Sequence, residues 1–311
     1  MKFQKTLLVN ISESALDSLY WKQLDELTER KISLPKDSSD ILKELSDADC
    51  LLVNFGISIT KEMMDAAPNL KYIGVLATAY GKVDIAHAKE RGIPVSNLAG
   101  YSTESVAEFI IAVILEHIRN LETGKQRGRT GNYSEAGLAA REIRGSIFGV
   151  IGFGSIGSRV AELASGFGAK VKYWSREKKD TAFEYQDIDT LINEADFLSI
   201  NLAQTPETEG FFGTERLQKL KKESVVVNTA PMELIDIDAL TERLKQDDVT
   251  FILDHSDEMT KENLAKLSPY ENCIIYPPMA YISKEARKKK QGMFVGNMMS
   301  FLEGSPANVV N

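Results

Sequence analysis

Gly152-Phe153-Gly154-Ser155-Ile156-Gly157 follows directly on the apolar run Ile147-Phe148-Gly149-Val150-Ile151 and leads into a helical stretch, Ser158 to Phe167. Alone, a G-x-G-x-x-G is a weak signal. Between a strand and a helix the three glycines provide a tight turn, close approach of a pyrophosphate to the backbone, and close packing of helix on strand. The helix N-terminus adds unsatisfied N–H groups and a partial positive charge. The stretch therefore predicts a strand–turn–helix unit of a parallel α/β sheet, with a dinucleotide on its glycines. A glycine turn without a ligand is the competing reading.

Working outward, short β-type runs alternate with helical patterns along the chain, the signature of parallel α/β layers. Before the glycines, strands are expected at Lys5 to Val9, Cys50 to Phe55, Leu70 to Leu76 and Pro94 to Ser96. Helices are expected at Ser14 to Arg30, Ser38 to Leu45 and Asp84 to Arg91, with Thr60 as a further N-cap. An apolar helix runs from Ser102 to about Leu121. Thr123 to Arg141, with Gly124, Gly128, Gly131 and Gly137, reads as a connection or exposed arm. After the glycines, strands are expected near Lys170 to Trp174, Phe197 to Leu202, Ser224 to Val227, Val249 to Leu253 and Cys273 to Tyr276. The basic run Arg287-Lys288-Lys289-Lys290 reads as a solvated helix face.

Composition narrows the function classes. The 311 residues suggest about two domains. A formal net charge of -8 points away from nucleic acid and from anionic membrane surfaces. Two cysteines, Cys50 and Cys273, are too few for a disulfide framework, so a reducing, cytoplasmic location is expected. No apolar run has the length of a membrane helix, and the first ten residues lack a signal-peptide pattern. No metal is expected. Only three histidines, His87, His117 and His255, are on hand for proton transfer.

The end of the strand after the glycines bears on which nucleotide binds. An acidic residue there would take a ribose 2′-hydroxyl and favour NAD. This chain has Tyr173-Trp174-Ser175-Arg176-Glu177-Lys178-Lys179 instead. Ser175 can donate a hydrogen bond, and Arg176 can pair with a 2′-phosphate. NADP(H) is therefore favoured. Arg176 stacked on adenine would serve NAD(H) equally, which keeps that cofactor open.

Several further segments stand in order: Val83-Asp84-Ile85, Arg91-Gly92-Ile93-Pro94-Val95, Asn97, Val106-Ala107-Glu108, the glycines, Thr205-Pro206-Glu207-Thr208 and Val226-Val227-Asn228-Thr229-Ala230. With them the chain resembles the D-2-hydroxyacid dehydrogenases, NAD(P)-dependent oxidoreductases, over nearly its whole length. The resemblance implies an α/β fold of two doubly wound parallel-sheet domains. A Rossmann nucleotide domain at residues 99–283 would be inserted into a flavodoxin-like catalytic domain of residues 1–98 and 284–311. It also implies a small-molecule substrate and a homodimer with residues 99–140 in the interface. For the cofactor it implies Gly152, Gly154, Ser155, Ile156 and Gly157 at the pyrophosphate and Ser175 and Arg176 at the adenosine ribose. Leu202 and Ala203 would line the adenine side, with Thr208 in the turn that follows. Thr229 and Ala230 would lie near the nicotinamide ribose, and Asp254 would accept from the carboxamide.

The family's chemistry needs a guanidinium to clamp the substrate carboxylate, an imidazole to move a proton, and a carboxylate to orient the imidazole. The positions that match are Pro231, Pro278 and Met259. None of these side chains can hold a carboxylate or exchange a proton at neutral pH. Losing clamp and general acid together removes several kcal/mol of transition-state stabilisation if the chemistry is unchanged. Replacement groups are sought at Lys82 and Tyr80, on the segment Ala77-Thr78-Ala79-Tyr80-Gly81-Lys82, at Tyr281 past the last strand, and at His255. Each also has a bland reading: an exposed lysine, a packed tyrosine, and a histidine that strand alternation turns away from Asp254. The residues are compatible with two functions. The first is an NAD(P)-dependent oxidoreductase acting on a CH–OH group, with a remodelled active site and an unknown substrate. The second is a nucleotide-binding protein of the same fold without dehydrogenase activity, in a regulatory or interaction role.

Overall fold

A computed structural model describes residues 1–311, which fall into two compact units, Met1–Ser102 with Ser283–Asn311, and Thr103–Ile282. The first holds a five-stranded sheet of β1 (Phe3–Val9), β2 (Thr28–Leu34), β3 (Cys50–Val53), β4 (Tyr72–Val75) and β5 (Val95–Ser96). The order is β2-β1-β3-β4-β5 and every pairing is parallel. β3 and β4 are buried throughout, as befits central parallel strands covered on both faces. Successive residues therefore supply two cores. Leu7, Val9, Leu51, Val53 and Ile73 join one, while Phe3, Leu8, Cys50, Leu52 and Tyr72 join the other. The C-terminal helix Lys284–Leu302 closes the second core with Phe294, Val295 and Met298.

Local chemistry accounts for several boundaries. Thr60 caps helix Lys61–Asp65 by accepting from the Met63 N–H at 3.3 Å. The helix expected from Ser14 to Arg30 is shorter, Ser18–Glu26, and the chain turns at Leu27 into β2. β2 is an edge strand bearing Glu29, Arg30 and Lys31, and such charges blunt an exposed edge while hiding its strand pattern. The basic run is also not merely solvated. Arg287 pairs with Asp17 at 2.9 Å, Lys289 donates to the Gly100 carbonyl at 2.8 Å, and Lys290 lies over the Tyr101 ring at 5.6 Å.

The second unit holds a seven-stranded parallel sheet: β6 (Ile147–Ile151), β7 (Lys170–Trp174), β8 (Glu184–Tyr185), β9 (Phe197–Ile200), β10 (Val225–Asn228), β11 (Thr250–Leu253) and β12 (Cys273–Ile275). Its order is β12-β11-β10-β9-β6-β7-β8. The chain builds outward from β6 in one direction, then returns to β9 and builds the other way. That reversal opens a crevice beyond the carboxyl ends of β6 and β9, where ligands of such sheets bind. Helix Thr103–Ile118 buries Val106, Ile110 and Ile114 against the face carrying helix Ser155–Gly166. The glycine-bearing arm contains a helix, Leu121–Arg129, with no buried residue. Arg127 closes the following loop by donating to the Ser134 and Ala136 carbonyls. No helix of the chain is long and apolar enough to cross a membrane.

Candidate nucleotide site and the loops at the strand ends

All seven strands of the second unit run parallel, so their carboxyl ends deliver seven loops to one edge of the sheet. The first is the glycine turn. Gly152 has φ +92, and a Cβ there would stand 2.6 Å from the Asn201 carbonyl oxygen at the end of β9. A Cβ on Gly157 would stand 2.0 Å from the Gly152 carbonyl oxygen, so this glycine lets the helix sit on its strand. Gly154 differs, because a Cβ there would meet nothing within 4 Å. Gly154 is the N-cap of the twelve-residue helix Ser155–Gly166, and no side chain caps the helix. The first N–H groups are thus left without a side-chain cap, and they carry the partial positive charge of the helix N-terminus. Asn201, beside Gly152, keeps a buried Oδ1 without a partner. This cradle fits the pyrophosphate of a dinucleotide.

The loop after β7 is stapled on itself. The Tyr173 hydroxyl accepts from the Lys179 N–H at 2.8 Å and donates to the Lys179 carbonyl at 3.1 Å. Ser175 is buried and donates its hydroxyl proton to the Glu177 carbonyl at 2.5 Å. The donor expected of Ser175 is therefore already committed, and only its lone pairs remain. Arg176 is exposed and forms no ion pair. The Glu207 carboxyl is held below the usual carboxylate range, first by the Thr205 hydroxyl and to a smaller extent by the charge of Arg176. Thr208 is occupied likewise. Its hydroxyl accepts from the Thr205 N–H at 2.8 Å and donates to the Ala203 carbonyl at 2.8 Å, which shapes the loop containing Leu202 and Ala203.

On the other half of the sheet, Asn228 ends β10, accepts from the Ala230 N–H at 3.2 Å and donates to the Ala230 carbonyl at 2.9 Å. Thr229 and Ala230 follow it; Ala230 and Met232 are buried. Asp254, beyond β11, is buried. Its Oδ1 accepts from Met279 and Ala280 N–H groups at 2.9 and 3.0 Å, and its Oδ2 from Ala280 at 3.3 Å. Burial raises its pKa, while these two N–H groups pull the other way. The carboxylate thus ties the Pro277–Ala280 loop to the sheet. Met232 and Met259 turn into the apolar cluster beneath this edge, whereas Met279 is exposed.

His255 does not obey strand alternation, because β11 ends two residues earlier at Leu253. A tight helical turn, Ser256–Glu258, follows and brings residues three apart together. The His255 Nδ1 lies 3.4 Å from Glu258 Oε1, with side chains 24% and 28% exposed. Glu258 Oε2 in turn accepts from the Met232 N–H at 3.2 Å. Burial pulls the His255 pKa down, but the bond to Glu258 and the charges of Glu258, Asp254 and Asp257 outweigh it and raise the value. The Glu258 carboxyl is held low, chiefly by His255.

A histidine raised on folding contributes stability that is full below its ordinary 6.5 and lost as pH rises through its folded value. A glutamate lowered on folding contributes stability present above its ordinary 4.5 and lost as pH falls through its folded value. The pair therefore stabilises most between about pH 4.5 and 6.5. In denaturant unfolding at several pH values, the loss caused by Glu258→Gln is expected to peak in that window. A loss that is flat with pH would contradict the pairing.

Glu258 is not marked by the family spacing, which falls on Met259. The available signal was the spacing His255-x-x-Glu258 directly after a strand. Tyr281 is exposed and directly follows Ala280. Tyr80 and Lys82 stand in the first unit, on the loop after β4. There Tyr80 packs against the apolar cluster of that unit and Lys82 is exposed. The loop is pinned by the Ile59 N–H donating to the Lys82 carbonyl at 2.9 Å.

Known proteins resemble this chain across both units. Over residues 111–280 it matches the family described as D-isomer specific 2-hydroxyacid dehydrogenase, NAD binding domain. It is 31% identical over 310 residues to a hydroxypyruvate reductase of Blautia hydrogenotrophica, covering 94% of this chain and 95% of that protein. Among solved structures, an acyclic imino acid reductase (Bsp5) in complex with NADPH and D-Arg gives a TM-score of 0.87 at 28% identity, covering 98% of this chain and 100% of that one. D-lactate dehydrogenase from Aquifex aeolicus, complexed with NAD and lactic acid, gives 0.81 at 26%, covering 96% of each chain. With the glycine cradle at the reversal point of its sheet and these full-length likenesses, the chain belongs to the D-isomer specific 2-hydroxyacid dehydrogenase family of nicotinamide-dependent oxidoreductases.

Proposed function

We propose that the chain is an NADP(H)-preferring reductase of small 2-oxo acids whose active site has been rebuilt without the family's arginine and histidine. The open, uncapped cradle at Gly154 carries this reading, together with Arg176 standing free past β7. Gly152, Gly154, Ser155, Ile156 and Gly157 would hold the pyrophosphate, Arg176 and the Ser175 lone pairs the 2′-phosphoribose, and Leu202, Ala203 and Thr208 the adenine side. Thr229, Ala230 and Asp254 would hold the nicotinamide half. The bound nicotinamide supplies the hydride; the chain must supply a grip on the substrate and a proton. The positions taken by Pro231, Met259 and Pro278 supply neither. Lys82 is our candidate for the substrate carboxylate, and Tyr80, Tyr281 and His255 are candidates for the proton. We assign residues 99–283 to the nucleotide domain and the remainder to the substrate domain. Exposed Leu121 and Tyr133 on the arm support a homodimer formed through residues 99–140.

A second reading is favoured by the same replacements. The nitrogen of an iminium ion already carries the proton and the positive charge, so hydride addition at its carbon needs no general acid at the moment of transfer. The likeness to an imino acid reductase supports adding imines to the substrates tested. The experiment follows nicotinamide absorbance with pyruvate, glyoxylate and hydroxypyruvate, each with and without an amine. NADPH consumption with the oxo acids alone supports the first reading, and consumption only with amine present supports the second. Binding of NADPH with no turnover in any arm would overturn both.

A further inference from the structure

We propose that His255 delivers the proton that accompanies hydride transfer, with Glu258 as its positioning residue; the inference rests on the 2-oxo acid reading above. Three observations carry it. First, His255 and Glu258 lie at the carboxyl edge of the sheet, past β11, on the half opposite the adenosine-side loop of β7. Second, the contact engages Nδ1 at 3.4 Å, which leaves Nε2 as the nitrogen that exchanges a proton. Third, Glu258 is itself fixed, because its other oxygen accepts the Met232 N–H at 3.2 Å. Met232 lies two residues beyond Ala230, so one carboxylate links the loops after β10 and β11.

Here a carboxylate orients an imidazole through residues other than those matching the family positions. The charged groups acting on His255 are Glu258, Asp254 and Asp257, all acidic, and all favour the imidazolium. Asp254 is already committed to the Met279 and Ala280 N–H groups, which leaves Glu258 as the partner that sets the ring. In the reduction, hydride forms a C–H bond at the substrate carbonyl carbon and the C=O π pair moves to oxygen. The Nε2–H bond of the imidazolium breaks and an O–H bond forms. Neutral His255 then regains a proton from solvent, and the nicotinamide leaves oxidised.

The test combines two readouts on the full chain. The first needs neither cofactor nor substrate: NMR titration of the three histidines. The resonance lost in His255→Asn should titrate above the ordinary 6.5, and in Glu258→Gln it should move down. The second is NADPH-dependent reduction of glyoxylate and hydroxypyruvate across pH. Protonated His255 is the reactive form, so the rate should fall as pH rises through its pKa. His255→Asn should lower kcat about 100-fold with NADPH affinity unchanged. Glu258→Gln should shift the alkaline limb downward by the same increment as the NMR pKa, and Glu258→Asp should restore most of it. Turnover that survives His255→Asn within about threefold, or a limb unmoved in Glu258→Gln, would overturn the dyad alone. A wild-type protein that binds NADPH but reduces none of the oxo acids would overturn the reduction reading and the dyad with it.

Discussion

Gly157→Ala is expected to lower the melting temperature by about 6–12 °C and to abolish nucleotide binding. Its new methyl would stand 2.0 Å from the Gly152 carbonyl oxygen and 3.1 Å from Val150 Cγ1. The nearer atom is backbone, so relief requires moving helix Ser155–Gly166 off β6. That displacement is an overpacking cost of about 3 kcal/mol. It also carries the helix N-terminus away from the turn that aims it. Gly154→Ala provides the contrast. Its methyl meets nothing within 4 Å, so the melting temperature should stay within about 2 °C of the parent. Nucleotide affinity should nevertheless fall at least about tenfold, because the methyl would enter the space proposed for the pyrophosphate. Thermal melts and nucleotide titrations of the two variants side by side check the account. A Gly154→Ala protein that binds like the parent would show that this turn is structural only.

Arg176→Ala is expected to weaken NADPH binding by about 10- to 100-fold and to leave NADH within about twofold. A charge-assisted bond to a 2′-phosphate contributes about 1.5–3 kcal/mol, and NADH offers no phosphate there. Ser175 cannot compensate by donating, since its proton is held by the Glu177 carbonyl. Glu207 sharpens the effect, because it already feels the charge of Arg176 and would confront the phosphate once the guanidinium is gone. Calorimetric titration of both nucleotides reads this directly. Equal losses for NADPH and NADH would mean that Arg176 stacks on adenine instead.

The parts of the fold that were legible in the sequence are those whose reading depends on contiguous residues. The turn Gly152–Gly157 specifies strand, tight bend and helix within one stretch, and central strands such as β3 and β4 declare themselves as short apolar runs. β2 was not legible, because an edge strand carrying Glu29, Arg30 and Lys31 resembles the polar continuation of a helix. Helix Leu121–Arg129 was not legible either, since Gly124 and Gly128 oppose helix formation by about 1 kcal/mol each. In the candidate site, residue types could be read but not their commitments. Nothing in the string reveals that Ser175 and Thr208 spend their protons within their own loops. Nor does it reveal that Glu258 reaches both His255 and the Met232 N–H, which depends on β11 ending at Leu253 and a tight turn following.

The most direct test of the central claim, an intact dinucleotide cradle read at the 2′-position by Arg176, is a titration of the full chain with NADPH and with NADH under identical conditions. Both nucleotides should bind saturably, with NADPH at least about tenfold tighter. Binding of NADH about tenfold tighter than NADPH, or no binding of either up to roughly millimolar concentration, would contradict it.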